Sequence, residues 1–259
     1  MFSKEPRCIY RRNPLADVIC QLRFPEILKI PAETPMAFQE AVRGDFPKYA
    51  RRQETPRPLL APGEPGLQKG EPVIHHQFSS ADGLWRVDLT SKFISLSCAR
   101  YTRWEEFARR LDGPLVALIR NYHPAYFERV GLRYVNFFSR KALELENAPY
   151  REMFAPWCLG PLTDPQVQEE GLSRCSVDFD IPLRHGCRGK VHAGPGMVSR
   201  NGRQDPENKF VLDMDLYVQG SIPIKACVDT LQTLHIQADS IFRGAITDLT
   251  HDAMEPMCK

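Results

Sequence analysis

The sequence lacks any uncharged apolar run near the roughly 18 residues that a spanning helix needs. Its opening residues, Met1-Phe2-Ser3-Lys4-Glu5-Pro6-Arg7, contain no apolar core of a secretory signal, so a cytoplasmic protein without a membrane partner is expected. No Cys-x-x-Cys pair occurs, which leaves a zinc ribbon and a thioredoxin-type redox motif without support. There is no Gly-x-Ser-x-Gly elbow, and Gly194-Pro195-Gly196 is too short and proline-interrupted to cradle a phosphate. Net charge is also scarce: 34 Lys and Arg against 32 Asp and Glu leave +2. What remains is ordinary globular composition, 42% hydrophobic and 25% charged over 259 residues. That suits one large domain or two small ones.

The charge is unevenly spread. Residues 1–140 carry 22 Lys and Arg against 15 Asp and Glu, whereas residues 141–259 carry 12 against 17. A basic half of this kind draws in a polyanion or complements the acidic half packed against it. Arginine dominates the basic half, and its planar fork suits phosphate or carboxylate. Eight cysteines are present, and without an export signal reduced thiols are the default.

The periodicities describe an α+β chain. Ala16–Phe24 alternates as a half-buried strand that Pro25 stops. Thr34-Pro35 opens a short helix with Thr34 as its cap. Residues 51–72, with five prolines and three glycines, read as a long exposed loop that includes Arg51 and Arg52. Strands are expected at Val73–Phe78, Leu84–Leu89 and Phe93–Ala99. A helix capped by Thr102 and Glu105 should follow, broken or kinked at Gly113-Pro114. Further strands fall at Tyr126–Phe138, Ser173–Ile181, Arg188–Ala193 and Phe210–Tyr217, with a loop at Ser199–Glu207. A closing helix runs from Pro223 to Thr247, its stripe including Leu231, Leu234, Ala238 and Phe242. The expected architecture is antiparallel sheets with long helices on one face, in halves 1–140 and 141–259 that form one unit; the order of elements also allows two similar halves.

Three segments carry a resemblance. They are Asn13-Pro14-Leu15-Ala16-Asp17-Val18-Ile19-Cys20-Gln21-Leu22-Arg23-Phe24, then Gly131-Leu132-Arg133-Tyr134-Val135-Asn136, then His235 with Phe242 and Ile246-Thr247-Asp248. Together the sequence resembles a sporadically distributed bacterial family of conserved hypothetical proteins about 250 residues long. It departs from that pattern at Ala16-Asp17 and in the proline-rich 51–72 stretch. The resemblance implies no enzymatic activity; it implies a setting in defence-type loci, CRISPR-linked or toxin–antitoxin-like.

Candidate site residues follow from residue type. Arg23 and Arg133 stand in strands beside Phe24 and Tyr134, suiting an anion or carboxylate clamp or an ion pair with Asp17, Asp213 or Asp215. His235 is a lone helical histidine that Asp239, four residues on, is spaced to orient. Cys175, His185, Cys187 and His192 have ligand chemistry at a spacing that matches no familiar metal site. Asp178/Asp180 and Asp213/Asp215 are same-face carboxylate pairs, the raw material of a magnesium site, without an accompanying Glu-x-Lys. The expected function is a non-enzymatic adaptor or regulatory subunit, without a cofactor, that binds another protein of its locus. Arg23, Arg133, Tyr134, Arg51, Arg52 and His235 are its partner or anion candidates. A nucleic-acid-associated protein and a metal-dependent hydrolase or nuclease are the alternatives.

Overall fold

The computed structural model describes all residues except 56–58, 61–66, 69–71, 173, 201–202 and 258–259. Its strands are β1 (Leu15–Arg23), β2 (Lys48–Glu54), β3 (Leu59–Leu60), β4 (Leu67–Gln68), β5 (Val73–Ser79), β6 (Trp85–Leu89), β7 (Phe93–Cys98), β8 (Phe127–Phe138), β9 (Val177–Pro182), β10 (Arg188–Arg200) and β11 (Arg203–Ile222). Its helices are α1 (Lys29–Ala32), α2 (Met36–Val42), α3 (Trp104–Tyr122), α4 (Tyr150–Met153), α5 (Cys227–Ala245) and α6 (Asp248–Ala253). The class is α+β.

Nine strands form one antiparallel sheet in the order β2-β5-β6-β7-β1-β8-β11-β10-β9, and β3 pairs with β4 separately. The first strand therefore lies at the centre. It pairs with β7 on one side and β8 on the other, and β8 pairs in turn with β11. The sheet is thus continuous across residue 140.

Alternation decides which face is covered. On β1, Val18, Cys20 and Leu22 are buried, and on β8 so are Val130, Leu132, Tyr134 and Asn136. These residues point to the helical side, where α5 packs on β8 and β11, and α3 packs on β7 and α2. The other face carries Arg133, Asp213, Asp215, Lys190 and Asp180 in facing register and opens as a depression lined by these side chains. There Arg129 folds back over Gly131: a Cβ at residue 131 would lie 2.1 Å from its Nη1. Arg129 ends above the Tyr217 ring at 4.6 Å and donates to Asp215 at 2.7 Å.

Several expectations need correction. One nine-stranded sheet replaces separate sheets, and four of the six α-helices are seven residues or shorter. Arg51 and Arg52 lie in β2, not in a loop. All seven residues of β2 are exposed, because it is an edge strand held by its ladder to β5 and needs no apolar face. Residues 56–58, 61–66 and 69–71 of the expected loop lie outside the described residues. α3 runs unbroken through Pro114, which is buried on its core face. Neither Thr34 nor Thr102 caps: no side-chain cap bond forms on α2 or α3, and Thr102 Oγ1 donates instead to Glu106 at 2.6 Å. The Ser199–Glu207 loop is largely strand, since β10 and β11 stay paired out to Arg200 and Arg203. β9 starts at Val177, and Ser173 lies outside the described residues. No helix among the described residues is long and apolar enough to cross a membrane.

Candidate functional site

A half-open cavity of about 80 Å³ sits on the helical side where α5 crosses β8. That is room for about five to eight waters, taking roughly 10–15 Å³ for each. Spacing on α5 supplies one wall: His235, Ala238, Asp239 and Phe242 recur at three and four residues and share a face. The sheet supplies Tyr134, Asn136 and Met214, and the segment entering α3 supplies Tyr101 and Thr102. Arg7, Cys8, Ile9 and Tyr10 form part of the rim.

These rim residues belong to a strap laid across α5. Ser3 N donates to Ser240 O at 3.0 Å, and Ser240 Oγ donates to Ser3 O at 2.7 Å. Gly244 makes the approach possible, because a Cβ there would lie 2.0 Å from the Met1 carbonyl oxygen. Arg7 Nη1 donates to Glu105 at 2.7 Å, and the Tyr10 hydroxyl lies 2.8 Å from His251 Nδ1. Met257 N donates to Ile9 O at 2.7 Å, so the two ends of the chain run side by side.

The default of reduced thiols holds for Cys20, Cys98, Cys158, Cys175, Cys187 and Cys227, which are free. Cys8 is disulfide-bonded. Cys258 lies outside the described residues.

Burial sets the charge state of the walls. His235 is 6% exposed, lies flat against Trp104 with ring centroids 4.6 Å apart, and has Nδ1 2.8 Å from the Tyr134 hydroxyl. Loss of solvent, helped by the Arg7 charge, pushes its pKa down to about 4. Burial pushes the Tyr101 and Tyr134 hydroxyls well above the ordinary phenol range. It pushes Asp239 up to about 6, with Arg7 acting the other way. At neutral pH the cavity therefore presents a neutral imidazole, neutral phenols and one carboxylate, with the Arg7 guanidinium at its rim paired with Glu105. Its aliphatic hydroxyl, Thr102, is committed to Glu106.

Of the residues singled out from sequence, Tyr134, His235 and Asp239 meet here. The partner of the imidazole is Tyr134 from β8, not Asp239. Arg133 points to the opposite face and is ion-paired with Asp213, its Nε donating at 2.8 Å. Arg23 ends β1 exposed, opposite Phe93 and Arg129. Arg51 and Arg52 are on the far edge strand. His192 pairs with Asp178 at 2.7 Å, Cys175 lies against Leu159 O, and Cys187 and His185 share a turn. Among the described residues, no three His, Cys, Asp or Glu side chains are placed to hold a metal. A shallow depression of about 340 Å³ on the open face holds Asp178, Asp180, Asp213 and Asp215, interleaved with Arg133, Lys190 and His192.

Sequence reasoning missed Arg7, Tyr10 and Tyr101 as wall residues. The i, i+4 relation of His235 to Asp239 was the available signal, and it marked the right helix face while suggesting the wrong hydrogen bond. No protein-family model matches the chain, and no curated protein matches it either.

Proposed function

We propose that the protein is a non-enzymatic regulatory subunit or adaptor in which a small ligand fills the α5 cavity. The strap of residues 1–10 reports that occupancy to a protein partner. The observation that carries this reading is the strap itself: a chain segment anchored by the Cys8 disulfide, and otherwise held by hydrogen bonds and one ion pair, forms part of the wall of a cavity. A ligand that displaces or tightens the strap changes the outer surface without any chemistry, and its leverage is its differential affinity for the two strap positions. The likeness to a family found in defence-type loci supports a partner encoded nearby.

Native mass spectrometry of protein purified from its own cells tests the ligand. Co-purification with the products of neighbouring genes tests the partner, comparing the unaltered chain with Gly244→Ala, which puts a methyl where the strap lies. The expected result is a retained small molecule and a changed yield of partner in the variant. No retained molecule, together with unchanged partner yield, defeats the proposal.

A second reading rests on β2, whose exposed edge carries Lys48, Arg51 and Arg52. A single-stranded polynucleotide along that edge would bind with steep salt dependence, and an affinity indifferent to salt removes the idea.

A further inference from the structure

Among the described residues, Asp239 is a charged wall residue of the α5 cavity whose side chain makes no hydrogen bond in the fold. Among the described residues no hydrogen bond or ion pair reaches its carboxylate, and only burial and the more distant Arg7 charge act on it. Several polar neighbours have partners of their own. Arg7 is taken by Glu105, Tyr134 by His235, Thr102 by Glu106, and Asn136 Nδ2 by Leu212 O at 2.9 Å. A half-buried carboxylate left without a donor costs stability, which a ligand donor would recover.

The rest of the lining states what that donor should be. Two aromatic pairs wall the cavity: Tyr10 with Phe242, ring centroids 6.0 Å apart, and Tyr101 with Tyr134 at 6.1 Å. Aromatic faces attract cations, and the attraction grows when water is excluded. The local charge also has the right sign. Arg7 and Glu105 offset each other, and His235 is held neutral by burial, so Asp239 leaves the cavity one negative charge. An anion would meet that charge directly, and a neutral molecule would leave it unpaired.

From these contacts we infer that the α5 cavity is a binding site for a small alkylammonium group, with Asp239 as its counter-ion and Tyr10, Tyr101, Tyr134 and Phe242 as its aromatic walls. The volume admits an ammonium head with a short alkyl chain. The inference rests on the reading of this cavity as a ligand site, and it names the ligand class.

Titration of the full chain with propylammonium, n-propanol and propionate, followed by isothermal calorimetry and by thermal denaturation at pH 7.5, separates the possibilities. Propylammonium should bind at least tenfold more tightly than propanol and raise the melting temperature, and propionate should not bind. Asp239→Asn, nearly isosteric, should lower the ammonium affinity at least tenfold and leave that for propanol unchanged. Equal affinities for ammonium and alcohol, tighter binding of propionate, an unaffected Asp239→Asn, or no binding at all would each overturn the inference. Hydrogen exchange at residues 1–10 keeps the two proposals apart. Ammonium binding with an unchanged strap sustains the ligand class and removes the regulatory reading; a neutral or anionic ligand that alters the strap does the reverse.

Discussion

His76 and His235 are buried histidines that each face a tyrosine, and they differ in what the other side of the ring meets. His76, on β5, is fully buried, with Nδ1 3.0 Å from the Tyr49 hydroxyl and Nε2 3.0 Å from the Ile30 carbonyl. Both nitrogens are used, and the ring ties β2 and β5 to α1. His235 uses Nδ1 alone among the described residues and borders a cavity. Burial lowers the pKa of both. The comparison teaches that a depressed histidine pKa marks burial in either setting, and that open space beside the ring is what separates a site from a strut.

The largest expected effect sharpens the α5 side of the comparison. Leu234 is 0% exposed, next to His235. Leu234→Asp places an unpaired charge in a dry core and should cost about 4 kcal/mol or more in denaturant unfolding, while His235→Ala costs far less. An unchanged melting temperature in Leu234→Asp would mean that this face of α5 is not core.

His76→Ala comes next. It orphans the Ile30 carbonyl and the Tyr49 hydroxyl and leaves a void, for about 2–3 kcal/mol. His235→Ala should cost about 1–2 kcal/mol, because water from the adjoining cavity can reach the Tyr134 hydroxyl. Equal losses at the two positions would erase the distinction between strut and site.

The third effect depends on pH. His235 is depressed from 6.5 to about 4, so its contribution is present above pH 6.5 and lost as pH falls toward 4. Asp239 is raised from 3.8 to about 6, so its contribution is present below 3.8 and lost as pH rises through 6. The two oppose each other across pH 4–6. Relative to the unaltered chain, Asp239→Asn should lose stability on acidification through this window, and His235→Gln should gain it. Parallel stability–pH curves for all three proteins would show that neither group is buried as described.

The smallest effect lies on the open face. Arg133 is 47% exposed in its ion pair with Asp213, so Arg133→Ala should change stability by no more than about 0.5–1 kcal/mol, less at high salt. A loss above 2 kcal/mol would reveal a face that is packed rather than solvated.

Much of the fold was legible because alternation is a local signal. The cores of β1, β5, β6, β7 and β8, the stripe of α5 and the α+β class all follow from spacing. β2 escaped notice because Lys48–Glu54 has no apolar face to announce it, and the outer ends of β10 and β11 because a long hairpin tolerates turn-like residues once its ladder is formed. Pro114 survives inside α3 because burial of its ring on the core face outweighs one missing hydrogen bond. Of the candidate site, Tyr134 and His235 were readable as residues of interest. Their contact spans 101 positions, and no local pattern encodes it.

The sequence by itself determined which residues must leave water: Val18, Cys20 and Leu22 on one face of a strand, Leu231, Leu234 and Ala238 on one stripe of a helix. Hydrophobic burial depends on period, and period is written in the chain. Only the tertiary structure decided that β1 sits at the centre of one sheet, that the strap crosses α5 at Gly244, and that Asp239 shares a cavity wall with four aromatic rings. Those are matters of distance between segments remote in sequence, and charge and hydrogen bonding act through distance.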